Sequence, residues 1–299
     1  MTTPLLLAPY TRKLVWGEER WVVSARPGAS SVVVGGEYAG WTLDRVVEKE
    51  GVSLTGVRSP NPHELPLLMK IIDARRPLSL QVHPDSASAN TLGGDAKNEA
   101  WYVLAADSNG SAAKEELSAC ILAGLKDGIT EDSLRSAIAD GTAGDAAVRR
   151  PVKPGDIYYI PGGTVHAIGG GTRIFEVQQT GETTYRLFDW NRKDANGEMR
   201  PLHVEKALKA INWNEQGGKL FRKRVGTPFF TMYEQELDGK FTRTMDGVSF
   251  RTLFVVDGVL EVTSGGETVA ATSGVGVVVP ADTDEFTLKG RAKIISVTL

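Results

Sequence analysis

The chain has 299 residues, 41% of them hydrophobic and 33 of them glycine, which suits two cored domains with many turns. Its net charge of −3 and lack of any dominant Arg/Lys stripe exclude a nucleic-acid polyanion as the expected partner. A small anionic ligand needs only a few local cations. The single cysteine, Cys120, excludes an internal disulfide and reads as a packing residue.

The opening MTTPLLLAPY has neither the basic head nor the cleavage site of a signal peptide. Runs such as GVGVVVPA are too short to cross a membrane, so the expected location is the cytoplasm. In chain order, SVVVGG, GVSLTG, LPLLMKIIDA, PLSLQVHP, WYVLAAD, DIYYIPG, TRIFEVQQ and TTYRLFDW read as strands. They are short, rich in Val, Ile, Leu, Phe and Tyr, and mostly punctuated by Gly, Pro, Asp or Asn. Two segments read as helices. EDSLRSAIADG, from Glu131 to Gly141, sets Leu134 and Ile138 on one stripe behind the cap residue Thr130, without the capping-box glutamate. PLHVEKALKAINW sets Val204, Leu208 and Ile211 on one stripe and Lys206 and Lys209 on a solvated face. From about Gly217 the chain starts a second meander of strands with DG and GG turns, led by the basic cluster FRKRV, which reads as a charged edge strand. The pattern predicts an all-β fold: two jelly-roll barrels with a few short helices. Residues 1–216 would form a metal-binding domain with helical insertions, and 217–299 a barrel without metal ligands.

The metal expectation starts from YYIPGGTVHAIGGG. Gly155, Pro161, Gly163 and His166 stand in the pattern G-x5-P-x-G-x2-H, the second motif of the cupin barrel. Glycine and proline shape the turn, and the next strand begins with the imidazole facing inward. Gln81 and His83 are two apart on an earlier strand and therefore share a face, while Glu99 opens another strand. Two imidazoles, one carboxylate and one amide oxygen suit one Zn²⁺ per chain with positions left for substrate. The second meander repeats G-x5-P at Gly274 and Pro280, but Glu285 stands where the histidine would be. Glu176 shares a strand face with Ile174 and Gln178, an odd set for a simple core and one that suits a site wall. As an alternative, Glu176 is a buried partner for Arg173 or Arg186. Alternation sets Arg186 on the side of Thr184 and Phe188. His63 reads as a loop residue and His203 as a solvated or locally bonded one.

These residues resemble type I mannose-6-phosphate isomerase in its short bacterial form. Q-x-H-P at Gln81, K-x-E-x-W-Y at Lys97, T-T-Y-R at Thr183 and KLVWG near the start carry the resemblance, which is densest from Leu65 to Arg192. It implies a cupin-superfamily enzyme that interconverts mannose 6-phosphate and fructose 6-phosphate through a cis-enediol. It implies zinc on Gln81, His83, Glu99 and His166, an active-site arginine in Arg186, an active-site lysine in Lys97, and a phosphate contact from Ser79 and Lys97. The base is left open among Glu176, Lys97 and a zinc-bound water. The expected partner is a sugar phosphate, bound by a monomer or homodimer. Two departures, Glu182 for an aspartate and Val22 for an acidic residue, bear on substrate preference. The alternatives are an Fe-dependent cupin dioxygenase and a non-catalytic sugar-phosphate binder.

Overall fold

The computed structural model describes residues 1–107, 117–193 and 196–299. The chain divides into two compact units, each discontinuous in sequence. One comprises Met1–Arg12, Arg20–Ile71 and Lys223–Leu299; the other comprises Lys13–Glu19 and Ile72–Arg222. Among the described residues no helix is long and apolar enough to cross a membrane.

The first unit is built on one antiparallel sheet. Strands Arg224–Gly226, Thr231–Thr244, Glu285–Thr298, Arg251–Ser264, Gly276–Val279, Leu5–Ala8 and Val32–Val33 pair in that order, with Glu267–Thr272 beside Arg251–Ser264. The N-terminal strand joins through Leu5 opposite Val278 and Leu7 opposite Gly276. Alternate residues Leu253, Val255, Leu260, Val262, Val277, Val279, Ile294 and Phe286 bury one face.

The second unit has two sheets facing each other. Strands Lys219–Arg222, Asp156–Ile160, Glu99–Ala106 and Thr172–Gln179 pair in that order. The other sheet runs Tyr185–Phe188, Leu80–Val82, His166–Ile168, Cys120–Leu125, Ala147–Pro151. Trp101, Val103, Tyr158, Ile160 and Ile174 from the first meet Ile121, Ala123 and Ile168 from the second. The five-stranded sheet is apolar on its reverse face as well: Leu80, Val82, Leu122, Ala167, Tyr185 and Leu187 pack with Leu134, Ala207 and Leu208 of helices Glu131–Ala139 and Val204–Ala210.

That second apolar face explains why the expectation of an all-β fold of two closed jelly-roll barrels fails. The architecture is mixed α/β: the described residues form five α-helices and three sheets that are open rather than closed on themselves. A sheet with two apolar faces needs cover on both, and helices supply it on one. GVSLTG, expected as a strand, is the short helix Val52–Thr55, following the helix Leu43–Glu50 whose Leu43, Val46 and Val47 are buried. Thr130 does cap Glu131–Ala139, and Ser133 completes the capping box in place of the missing glutamate. The FRKRV cluster falls on the outermost strands Lys219–Arg222 and Arg224–Gly226, and Arg222 is ion-paired with Asp156.

Candidate metal centre

The site lies within the second unit. His166 opens its strand directly after the turn at Pro161–Gly163, and that turn tolerates only glycine for two separate reasons. A Cβ on Gly162 would lie 2.6 Å from Asp85 Cα, a close backbone approach. Gly163 has φ +84°, and its Cβ would lie 2.8 Å from Asn212 Cβ. The turn then ties to the other ligand strand, because the Gly163 N–H donates to the His83 carbonyl at 2.7 Å.

His83, Glu99 and His166 are all buried, and their donor atoms lie within 4.8 Å of one another. His83 Nε2 is 3.4 Å from Glu99 Oε2, and His166 Nε2 is 3.4 Å from Glu99 Oε1. Each imidazole is pinned from behind by a backbone carbonyl: His83 Nδ1 is 3.0 Å from Thr183 O, and His166 Nδ1 is 2.9 Å from Thr164 O. A carbonyl only accepts, so both Nδ1 atoms carry the proton and both Nε2 lone pairs point at the carboxylate. Burial, and then Lys97, push His83 down to about 4, against the pull of Glu99. Burial also lowers His166. Burial opposes the charge on Glu99, but Lys97, His83 and His166 outweigh it and hold the carboxyl well below its usual range. Two neutral imidazoles and one carboxylate therefore converge, an arrangement that repels itself unless a cation sits among them. The Lys97 ammonium lies beside the three groups, 3.1 Å from His83 Nε2 and 3.1 Å from Glu99 Oε2.

Gln81 lies directly opposite His166 across the sheet, with Nε2 3.3 Å from His166 Nε2. Its Oε1 accepts from Ser79 Oγ at 3.1 Å, so Ser79 contacts the Gln81 amide. Arg186 lies opposite Gln81 on the other side, so Arg186, Gln81 and His166 form one row on one face. The Arg186 guanidinium donates to Pro201 O at 2.7 Å, and burial lowers its pKa. Phe188, expected on the same side, is not there. A bulge between the two residues sets Phe188 opposite Leu80, in the reverse-face cluster.

On the facing sheet, Gln178 lies opposite Glu99 and Glu176 opposite Trp101, so both adjoin the cluster. Glu176 Oε2 accepts from Trp101 Nε1 at 2.9 Å, and the Trp101 ring meets His166 edge-on at 5.5 Å. His63 lies outside the cluster and bonds the Glu48 carbonyl. Val22 is buried, and Glu182 is exposed with its N–H 3.4 Å from Asp95 Oδ2. Sequence reasoning missed the Thr183 and Thr164 carbonyls, which have no side-chain signature. It also left open His203, whose Nδ1 accepts from the Arg186 N–H at 3.1 Å while its own N–H donates to the Arg186 carbonyl at 2.7 Å.

Residues 13–116 match the family model for phosphomannose isomerase type I, catalytic domain, and residues 222–299 that for mannose-6-phosphate isomerase, cupin domain. The chain is 32% identical to mannose-6-phosphate isomerase of Streptococcus mutans serotype c, over 99% of this chain and 98% of that one. It is 30% identical to mannose-6-phosphate isomerase ManA of Bacillus subtilis, over 98% of each. The crystal structure of a Bacillus subtilis mannose 6-phosphate isomerase superposes with a TM-score of 0.84 at 28% identity, covering 99% of this chain and 100% of that chain.

Proposed function

The chain belongs to the type I mannose-6-phosphate isomerase family, and from that premise we propose how its residues divide the reaction. The protein is an aldose–ketose isomerase that interconverts mannose 6-phosphate and fructose 6-phosphate. The observation that carries the reading is the pair of back-pinned imidazoles whose unprotonated Nε2 atoms converge on Glu99.

The donor set fits one zinc ion, held by His83, Glu99, His166 and the amide oxygen of Gln81. The last contact requires the Gln81 amide to turn over, which exchanges its O and N and lets the nitrogen donate to Ser79 Oγ. When bound there, zinc supplies Lewis-acid polarisation of sugar oxygens. The reaction moves a proton from C2 to C1 by way of a cis-enediol, so it needs a proton carrier, a stabiliser of negative oxygen and a hold on the phosphate. Glu176 and Lys97 are the two side chains in the site able to carry the proton. Arg186, on the Gln81–His166 row, is assigned to the developing oxyanion. Ser79 and Lys97 are assigned to the phosphate, as donor and cation. Burial of the cluster keeps water from the reacting carbons and strengthens each of these interactions. We place the enzyme in the cytoplasm, as a monomer or homodimer.

The test is incubation of purified protein with mannose 6-phosphate in D₂O, with NMR at C1 and C2 and elemental analysis alongside. Fructose 6-phosphate formation with about one zinc per chain is expected. Absence of turnover at a full metal complement would refute the isomerase reading, and iron with oxygen consumption would replace it by an oxygenase.

A further inference from the structure

A cavity of about 620 Å³ opens in the second unit, on the other side of the five-stranded sheet from the metal ligands. Its placement follows from strand alternation. Ala123 lies opposite His166, so Leu122 and its partner Arg149 face the reverse side, and both line the cavity. This volume is in the range of small-molecule sites.

Its lining is cationic and aromatic. Among the described residues that line it, Arg76, Lys126, Arg149 and Arg192 contribute four positive charges against the carboxylate of Asp145, in a chain whose net charge is −3. Arg192 is already held, donating to Pro77 O at 2.9 Å and to Asp189 Oδ1 at 2.6 Å. Arg76, Lys126 and Arg149 form no ion pair among the described residues, and the Arg149 side chain bonds the Cys120 thiol, so three charges on the lining lack a carboxylate partner there. The aromatic part is Phe188 and Trp190, edge to face at 5.2 Å.

Trp190 is held at a conformational cost. It and Asn191 are consecutive non-glycine residues with φ of 56° and 50°, a left-handed geometry that asparagine tolerates and tryptophan rarely adopts. The indole N–H is fixed on Leu78 O at 2.7 Å, and its ring edge occupies the space where a Cβ on Gly144 would come within 2.7 Å of it. A strained, doubly fixed indole beside cations without carboxylate partners among the described residues fits a site better than a packing accident.

We propose that this cavity binds a nucleoside diphosphate. Arg76, Lys126 and Arg149 would take the phosphates, and Trp190 with Phe188 the base. Three cations with no carboxylate partner among the described residues call for more than one negative charge, and two aromatic rings call for a flat apolar group on the same ligand. A sugar phosphate supplies only the first.

The experiment is calorimetric titration of the zinc-loaded protein with ADP, with mannose 6-phosphate at saturating concentration so that anions cannot enter the metal site. Pyrophosphate and adenosine are titrated separately. The expected result is one ADP per chain, with either half-ligand at least about tenfold weaker. The double variant Lys126→Ala/Arg149→Ala changes exposed side chains, and it should weaken ADP by about tenfold or more with isomerase turnover unchanged. No saturable ADP binding would overturn the proposal, as would pyrophosphate binding as tightly as ADP. So would ADP binding that survives the double variant.

Discussion

Replacing Gly163 by alanine tests whether the turn before His166 exists to place the ligands. Two costs are read from the structure. At φ +84° a side chain pays the left-handed penalty, roughly 1–2 kcal/mol. Its Cβ also falls 2.8 Å from Asn212 Cβ and 3.0 Å from Asn212 N, an overpacking of roughly 1–3 kcal/mol. The sum is about 2–5 kcal/mol. Part of it will be relieved by moving the turn, which is bonded to the His83 carbonyl and leads directly into His166. Gly155 supplies the control. Its φ is +89°, but nothing lies within 4 Å of its added Cβ, so Gly155→Ala should cost only the conformational part. Urea unfolding of both variants gives the stability difference, and zinc titration of both gives the ligand geometry. Gly163→Ala should be the less stable and should bind zinc more weakly, while Gly155→Ala keeps the affinity of the parent protein. Equal losses in the two variants, or unchanged zinc affinity in Gly163→Ala, would refute the reasoning.

His83→Ala should lose bound zinc, and elemental analysis showing a full metal complement would remove His83 from the centre. Arg186→Ala should lower turnover by on the order of 10², the scale of one transition-state donor, with zinc content retained; unchanged turnover would take it out of the reaction. Metal-free protein should lose stability as pH falls. His83 is depressed to about 4 and His166 is lowered with it, so their neutral forms stabilise the fold fully above the ordinary histidine range, and that contribution fades as pH falls toward about 4. The depressed Glu99 carboxyl adds a loss of the same sign at lower pH. A urea midpoint of the chelated protein that does not shift between about pH 7 and 5 would contradict this.

The cluster was legible because strand periodicity is a strict code. Gln81 and His83 two apart, Glu99 at a strand start and His166 after a G-x5-P-x-G turn can be placed on faces by counting, and His83, Glu99 and His166 do converge. The count failed where the backbone breaks period. The bulge after Arg186 turned Phe188 to the opposite face, and no residue type at that position announces a bulge. Helices were harder. VSLT carries β-branched residues and reads as strand, yet Gly51 and Gly56, both at positive φ, close it into a single helical turn. The mistaken fold class has a similar origin. Leu80, Val82, Leu122 and Leu187 are apolar on the face away from the metal, but a buried reverse face looks the same in sequence whether helix or sheet covers it. The carbonyls of Thr164 and Thr183 were invisible in principle, because every residue has one.

The pairing of Leu5 with Val278 has a consequence for synthesis on the ribosome. Residues 5–8 are made long before residues 276–279, the strand they pair with. Closing so long a loop is slow, and until Gly276–Val279 emerges the segment LLLA is an apolar strand with an open edge. The ligand residues lie in the continuous stretch 72–222, whose internal pairings are complete well before that. Completion of this sheet, rather than assembly of the metal ligands, is then the step at which this protein is most exposed to aggregation, and a chaperone would be needed late rather than early.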